Sequence, residues 1–453
     1  MVRFPLRLPI LFEEMKLLYL AHRIPYPPNK GDKIRSFNEI KYLSQNHEID
    51  LACLADDPRD LKYEEDLRKY CRTTNVVLIN PILARVKSAF RLFSKKPLSV
   101  PYFYSKRLQE TISHWRSINN YDAILCYSSP MAEYIFRSIS DRPSTTKPLP
   151  KLIMDFVDVD SEKWKQYAQR IHWPLSWVYQ LESKRLAEFE RKVAVAFDHS
   201  IFVTHGEERI FKSKNPHIQN ITVITNGVDL DYFSPQFQQA TAVSARHSTF
   251  SRQHSTLGSH PQSSHLQPSS PIIVFTGAMD YYANIDGVIW FSKEIFPLIK
   301  RKIPEVQFYI VGSKPTKEIL ALSKNKSIKV TGYVRDTREY FRKATIAVAP
   351  LRIARGIQNK ILEPMAMGIP VVGTSDAMKG TQATSTDGIR VADNPEDFAQ
   401  EVLCLIRDPK SRHECSVRAR RYVENHHRWE NHGFCLESLL QEGRSRSEVY
   451  PKL

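Results

Sequence analysis

Ala354-Arg355-Gly356-Ile357-Gln358-Asn359-Lys360-Ile361-Leu362-Glu363-Pro364-Met365-Ala366-Met367-Gly368-Ile369-Pro370-Val371-Val372-Gly373 is preceded and closed by apolar runs. Ahead of it, Thr345 to Leu351 is short and rich in β-branched and small apolar residues, which predicts a buried strand. A polar turn containing Gly356 follows. The next helix starts near Lys360, because the ring of Pro364 excludes a hydrogen bond to the carbonyl four residues back. Gly368 closes that helix as a left-handed cap, and Ile369 to Val372 predict another strand. Strand, turn, helix and strand place the turn at the carboxyl edge of a parallel sheet, where open α/β folds hold their ligands.

The residues of the turn suit a nucleotide. Free backbone N–H groups and the positive helix end, about half a charge, match a diphosphate. Lys360 adds a full charge there, and Glu363, in the same helical turn, can accept from both hydroxyls of a ribose. A surface ion pair between Lys360 and Glu363, of about 0.3 kcal/mol, is the alternative reading of the same spacing.

A chain of 453 residues predicts two or three domains with cores of their own. No apolar run approaches the roughly 20 residues that span a bilayer. Residues 1–14 hold a short apolar patch broken by Pro9, without the length or cleavage site of a signal peptide, and read as an extension. The six cysteines show no metal-ligand spacing and are expected as free thiols in a reducing cytoplasm. The net charge of +16 allows nucleic acid, a membrane surface or an acidic substrate as partner. Its densest part is Arg85, Lys87, Arg91, Lys95, Lys96, Lys106 and Arg107, a stretch without an acid and interleaved with Phe90, Phe93, Tyr102, Phe103 and Tyr104. That pattern suits anionic lipid headgroups; a solvated basic face is the alternative. No recognised module surrounds it, so nucleic acid is not expected as a partner.

Strands at 49–54, 76–79, 123–127 and 200–204 alternate with helical segments, which implies an α/β, doubly wound parallel sheet. Gly31, before the first helix, lets backbone approach a ligand closely. At the exit of another strand stand Asp155, Asp158 and Asp160, followed by Ser161. Paired carboxylates there suggest acid–base chemistry or a metal site, while Asp160 or Ser161 equally suits a helix N-cap. Asn226-Gly227 predicts a turn with positive φ. Residues 235–270 shift to Ser, Gln, His and Thr and read as a disordered insertion. A second domain opens at Pro271, with Gly277 at the exit of its first strand and Asn284 in the helix beyond. The expected limits are 15–234 and 271–408, with 409–453 as helices crossing back.

The stretch at 345–373 resembles the nucleotide-sugar motif of glycosyltransferase family 4. Glu363 matches the second glutamate of the family pattern, and Gly368, Pro370, Val371 and Val372 match its tail. The first glutamate of the pattern falls on Arg355. Arg-Gly-Ile-Gln-Asn-Lys is similar to the sugar transferases of exosortase (PEP-CTERM) exopolysaccharide systems, and Asn226-Gly227-Val228-Asp229 to a second family signature. The resemblance implies a GT-B fold, two Rossmann-like domains facing a cleft, in a retaining hexosyltransferase (EC 2.4 class). It would use a nucleotide-diphosphate sugar, a saccharide or lipid-linked saccharide acceptor, and no metal or other cofactor. Many family members hold the diphosphate with an Arg and a Lys where this sequence has Asp280, Tyr281 and Asn284, so Lys360 and Arg355, with Gly356 and Asn359, are expected to supply that contact instead, and Glu363 to hold the ribose. Gly31, Gly277, Asn284 and Arg335 would line the donor, Arg335 within Gly332-Tyr333-Val334-Arg335-Asp336, where a plain helix cap at Asp336 is the alternative. Asp155, Asp160 and Ser161 fall on the acceptor side, and Asp158 is the candidate catalytic acid or base. The implied location is the cytoplasm, peripheral to the inner face of the plasma membrane. A nucleotide-sugar epimerase of the same fold and a non-catalytic nucleotide-sugar binder are the rival readings.

Overall fold

The computed structural model describes residues 12–90, 92, 94–139, 149–235 and 270–442. Residues 1–11 of the extension, Arg91, Phe93, residues 140–148, residues 236–269 of the insertion and the tail 443–453 lie outside the described residues. Two compact units emerge, Met1–Gly227 together with Trp429–Leu453, and Val228–Arg428.

The first unit carries a seven-stranded sheet. Its strands are β1 (Lys16–Ala21), β2 (Glu48–Ala55), β3 (Thr73–Leu78), β4 (Ala123–Tyr127), β5 (Lys151–Val157), β6 (His199–Phe202) and β7 (Ile221–Val223). They lie in the order β3-β2-β1-β4-β5-β6-β7, and every pairing is parallel. Central strands of such a sheet are covered on both faces, so they read as unbroken apolar runs. Leu18 and Leu20 of β1 accordingly join one core layer, while Leu17 and Tyr19 join the layer on the opposite face.

The second unit repeats the plan with β8 (Ile272–Thr276), β9 (Gln307–Val311), β10 (Ile328–Val330), β11 (Ile346–Ala349), β12 (Val371–Gly373) and β13 (Ile389–Val391). The order β10-β9-β8-β11-β12-β13 is again all parallel. Both units are therefore doubly wound, Rossmann-like sheets. In each, the strand order reverses beside the first strand, between β1 and β4 and between β8 and β11, and the carboxyl edge there is the ligand-binding crevice of such folds.

The helix Trp429–Gln441 belongs to the first unit. Leu436, Leu439 and Leu440 share its core with Phe37, Ile40 and Leu43 of the helix Gly31–Leu43. The preceding helix, Pro409–His426, stays with the second unit, so the division falls later than the expected limit at 408. Gly433 lies flat against the Tyr42 ring, where an added Cβ would come within 2.2 Å of ring carbon. Gly433→Ala is expected to destabilise the first unit by about 1–3 kcal/mol through overpacking, read as a lower melting temperature. Gly227 has the same kind of role: an added Cβ would meet Trp429 at 2.7 Å. It is absent from the positive-φ residues, so room for the Trp429 ring, not the predicted turn conformation, accounts for it.

All six cysteines are free thiols. Among the described residues no helix is long and apolar enough to cross a membrane.

Candidate functional site

The crevice between β8 and β11 brings together most of the residues expected around a donor. β11 ends at Ala349, and the helix Asn359–Ala366 begins after an extended Gln358. Gly356 adopts φ +61°, a conformation that costs glycine least. Its carbonyl lies where a Cβ on Gly380 would come within 1.9 Å, so the segment after β12 presses directly on the turn. Asn359 and Lys360 form the first helical positions, whose N–H groups precede the first intrahelical bonds, made by Ile361 and Leu362 to Gln358 O. Gly368, at φ +69°, ends the helix.

Lys360 Nζ donates to Gln358 Oε1 at 3.0 Å and stands 5.8 Å from the Phe275 ring of β8. This contact carries the cation from the β11 loop to the β8 side of the crevice. Lys360 and Glu363 are half-buried. Burial lowers the Lys360 ammonium to about 8, against the pull of Glu363. It raises the Glu363 carboxyl to about 7, against the pull of Lys360. Each group has thus lost part of its water and is only partly compensated by the other. That is the condition of a site that a charged ligand completes.

On the opposite wall, Gly277 leaves β8 and Asn284 lies in the helix Tyr282–Trp290. A Cβ on Gly277 would sit 2.7 Å from Asn284 Nδ2, so the two residues are in contact. Asn284 is buried; its Nδ2 donates to Ala278 O at 2.8 Å, while its Oδ1 has no hydrogen-bond partner. Asp286 and Arg352 tie the two walls together through Arg352 Nε, 3.0 Å from Asp286 Oδ2. This pair was not anticipated, because nothing local to either residue signals a partner in the other loop. Arg355 shares the turn, where its carbonyl accepts from Gln358 Nε2 at 2.7 Å. Arg335 is not brought to this cluster: it is exposed beyond β10, two strands from β8. Its neighbour Asp336 accepts from Arg338 N at 2.9 Å, which is a local turn at the start of a short helix.

In the first unit, Gly31 is exposed at the start of its helix, with open space around it. Asp158 and Asp160 are partly exposed beyond β5, where Val157 adopts φ +66°. A β-branched residue held there marks local strain. Asp155 and Ser161 lie inside instead. Asp155 Oδ2 accepts from Arg35 Nε at 2.6 Å, and Ser161 Oγ donates to the buried Glu190 at 2.6 Å. Ser161 therefore does not cap its helix, and neither does Asp160: Val159 occupies the N-cap position without a side-chain bond.

The buried group around Asp155 was not foreseen. Arg35 is fully buried, and its Nη1 donates to Ile224 O at 2.9 Å and Asn226 Oδ1 at 2.8 Å. Glu39 accepts from the Tyr19 hydroxyl at 2.5 Å and stands 3.1 Å from His432 Nε2. Burial pushes Asp155 up, to about 7, against the pull of Arg35 and with help from Glu39. Burial and the Arg35 charge push His432 down, to about 3, so its imidazole is neutral. Arg35 and Glu39 sit four residues apart on one helix, the only local trace of this cluster in the sequence.

Comparison with known proteins adds a family match. Residues 270–408 match the family model described as glycosyl transferases group 1. An uncharacterised 44.6 kDa protein in the cps region of Klebsiella pneumoniae is 20% identical over 423 residues, 91% of this chain and 96% of its own length. Sucrose-phosphate synthase from Thermosynechococcus elongatus superposes with a TM-score of 0.65 at 14% identity, covering 94% of this chain and 98% of its own. HepE of Anabaena, in complex with UDP-glucose, gives a TM-score of 0.61 at 13% identity, covering 94% and 99%. At these identities the solved structures establish the fold.

Proposed function

We propose that this chain, whose residues 270–408 match the glycosyl transferases group 1 model, is a glycosyltransferase that moves a hexosyl unit from a nucleotide-diphosphate sugar to a saccharide or lipid-linked saccharide. The reading includes retention of anomeric configuration, no obligatory metal, and membership of family 4 near its exosortase-associated members. It also includes a role in exopolysaccharide synthesis, which the cps-region relative supports, at the cytoplasmic face of the membrane. The observation that carries it is the half-buried Lys360–Glu363 pair in the first turn of a helix at the switch point of the second sheet.

The hard step is departure of a diphosphate while positive charge grows on the sugar, and preorganised donors aimed at the departing oxygens are the largest available term. Lys360, the 356–360 backbone and Arg355 take that role. Glu363 holds the ribose. Gly277 and Asn284 form the wall against which the diphosphate lies. Asp158 and Asp160 face the acceptor, with Asp158 the candidate base, while Asp155 and Ser161 hold the strand exit from behind.

A thermal-shift screen against UDP, GDP and ADP sugars tests the donor class. One of them should raise the melting temperature, since a ligand at about 100 times its Kd adds about 2.7 kcal/mol. No shift with any of the three would count against the assignment.

Glu363→Ala is expected to raise KM for the donor by about 10- to 150-fold, the equivalent of about 1.5–3 kcal/mol, with kcat little changed. The pH profile follows from the same pair. Glu363 accepts with both oxygens only when ionised, so kcat/KM should rise as pH increases through about 7. Lys360 is charged only below about 8, so kcat/KM should fall above that value. Glu363→Gln should abolish the rising limb and, by removing the carboxylate's pull on the ammonium, move the falling limb to lower pH. Activity should also survive EDTA at full rate; loss that added Mg²⁺ or Mn²⁺ restores would show that the reaction depends on a metal.

A further inference from the structure

The helix Pro81–Phe90 is inside out. Its buried residues are the small Ala84 and Ser88, whereas Ile82 (71% exposed), Leu83, Val86 and Phe90 (82% exposed) face outward. At the helical repeat of about 3.6 residues, Ile82, Leu83, Val86, Ala89 and Phe90 fall in one stripe. Arg85 borders that stripe on one side and Lys87 on the other. Side chains of this type keep a charged head in water while their stems lie along apolar material. Between Pro81 and Arg107 there is no acidic residue.

A second apolar group is exposed on the same unit. Trp173 is 80% exposed, and Leu175 and Trp177, at the start of the helix Leu175–Ala196, are exposed as well. That helix is joined to the segment following Pro81–Phe90. Arg185 Nη2 donates to Leu92 O at 2.8 Å, and the Glu182 carboxylate accepts from the N–H groups of Leu98 and Ser99 at 2.5 and 3.0 Å. Tryptophan is enriched where hydrocarbon meets headgroups.

We propose that the first unit docks on an anionic lipid bilayer. The outward stripe of Pro81–Phe90 enters the boundary between headgroups and acyl chains, Arg85 and Lys87 meet lipid phosphates, and Trp173 and Trp177 form a second anchor. This deepens the membrane-peripheral part of the reading above but rests on different residues from the donor site. The charges decide for lipid over a second copy of the chain. Symmetric pairing of two such stripes would bring Arg85 and Lys87 of both copies together, with no acid in either stripe to offset them.

The test is vesicle co-sedimentation of the full chain, using phosphatidylcholine vesicles with and without phosphatidylglycerol. Binding should require the anionic lipid and weaken about fivefold for each of Arg85→Gln and Lys87→Gln. Ile82→Ser with Phe90→Ser should reduce binding more than about tenfold and leave the melting temperature unchanged, because neither side chain is packed. Trp173→Ser should give a smaller loss. The proposal is overturned if the wild type ignores anionic vesicles at low salt, or if the Ile82/Phe90 variant binds as the wild type does. Self-association abolished by Phe90→Ser, without vesicle binding, would overturn it in favour of a dimer face. Donor-induced thermal shifts, measured in parallel, report on the second unit, so failure of either reading is recognised separately.

Discussion

Lys360→Ala is expected to lower kcat by about 10²- to 10³-fold, the loss seen when one preorganised charge donor is removed from a departing anion. KM for the donor should move by a much smaller factor. The asymmetry follows from where charge develops. In the proposed complex the diphosphate already carries its negative charges, and the backbone N–H groups of Asn359 and Lys360, at the start of their helix, would share in holding them. As the glycosidic bond breaks, the bridging oxygen gains further charge, and a desolvated ammonium stabilises that change more than it stabilises the ground state. Lys360 is suited to this because burial has lowered its pKa to about 8, so an arriving diphosphate restores what the loss of water removed. Lys360→Met keeps the stem and should match the alanine variant; Lys360→Arg should recover part of the rate. Steady-state kinetics on the three variants decide the matter. Equal turnover by the wild type and Lys360→Ala would remove the lysine from the mechanism.

Arg35→Ala should have the largest effect on stability. It leaves Asp155 and Glu39 buried without their shared cation, and breaking a buried ion group by removing one partner costs about 3–5 kcal/mol. At about 2–4 °C per kcal/mol for a unit of this size, the first unit should melt about 10 °C lower. Two hydrogen bonds from Arg35, to Ile224 O and to Asn226, are lost as well. The triple variant Arg35→Met, Glu39→Gln, Asp155→Asn carries no stranded charge and should recover a large part of the loss. An Arg35→Ala protein that melts within about 2 °C of the wild type would show the cluster to be energetically idle. Donor-induced thermal shifts of the second unit should persist in all of these variants, which separates this effect from damage to the nucleotide site.

The contrast between these two residues shows how far the sequence could be read. The surroundings of Lys360 are local: a β-branched strand, a glycine turn and a helix bounded by Pro364 and Gly368, all within thirty residues. Each carries its own signal of period or backbone restriction, so the elements and their order followed from the residues alone. The Arg35 cluster is assembled across 120 positions to Asp155, and its Glu39 pairs with His432 across 393. Asp155 looked like a carboxylate presented at a strand end because its local frame is that of one; a guanidinium from a distant helix turns it into core. Ser161 looked like a helix cap until Glu190, on a neighbouring helix, competed for its hydroxyl. Gly227 looked like a turn residue because the ring that occupies its missing side chain belongs to Trp429.

The place of the helix Trp429–Gln441 bears on how the chain is made. The first unit opens the sequence, yet the imidazole beside Glu39 and three leucines of its core are added after Val228–Arg428 has been translated. On the ribosome, the early unit must wait with an unfinished apolar surface while its successor is already able to fold. Nascent chains stalled before Trp429 should recruit holdase chaperones, and release of the last helix should end that engagement.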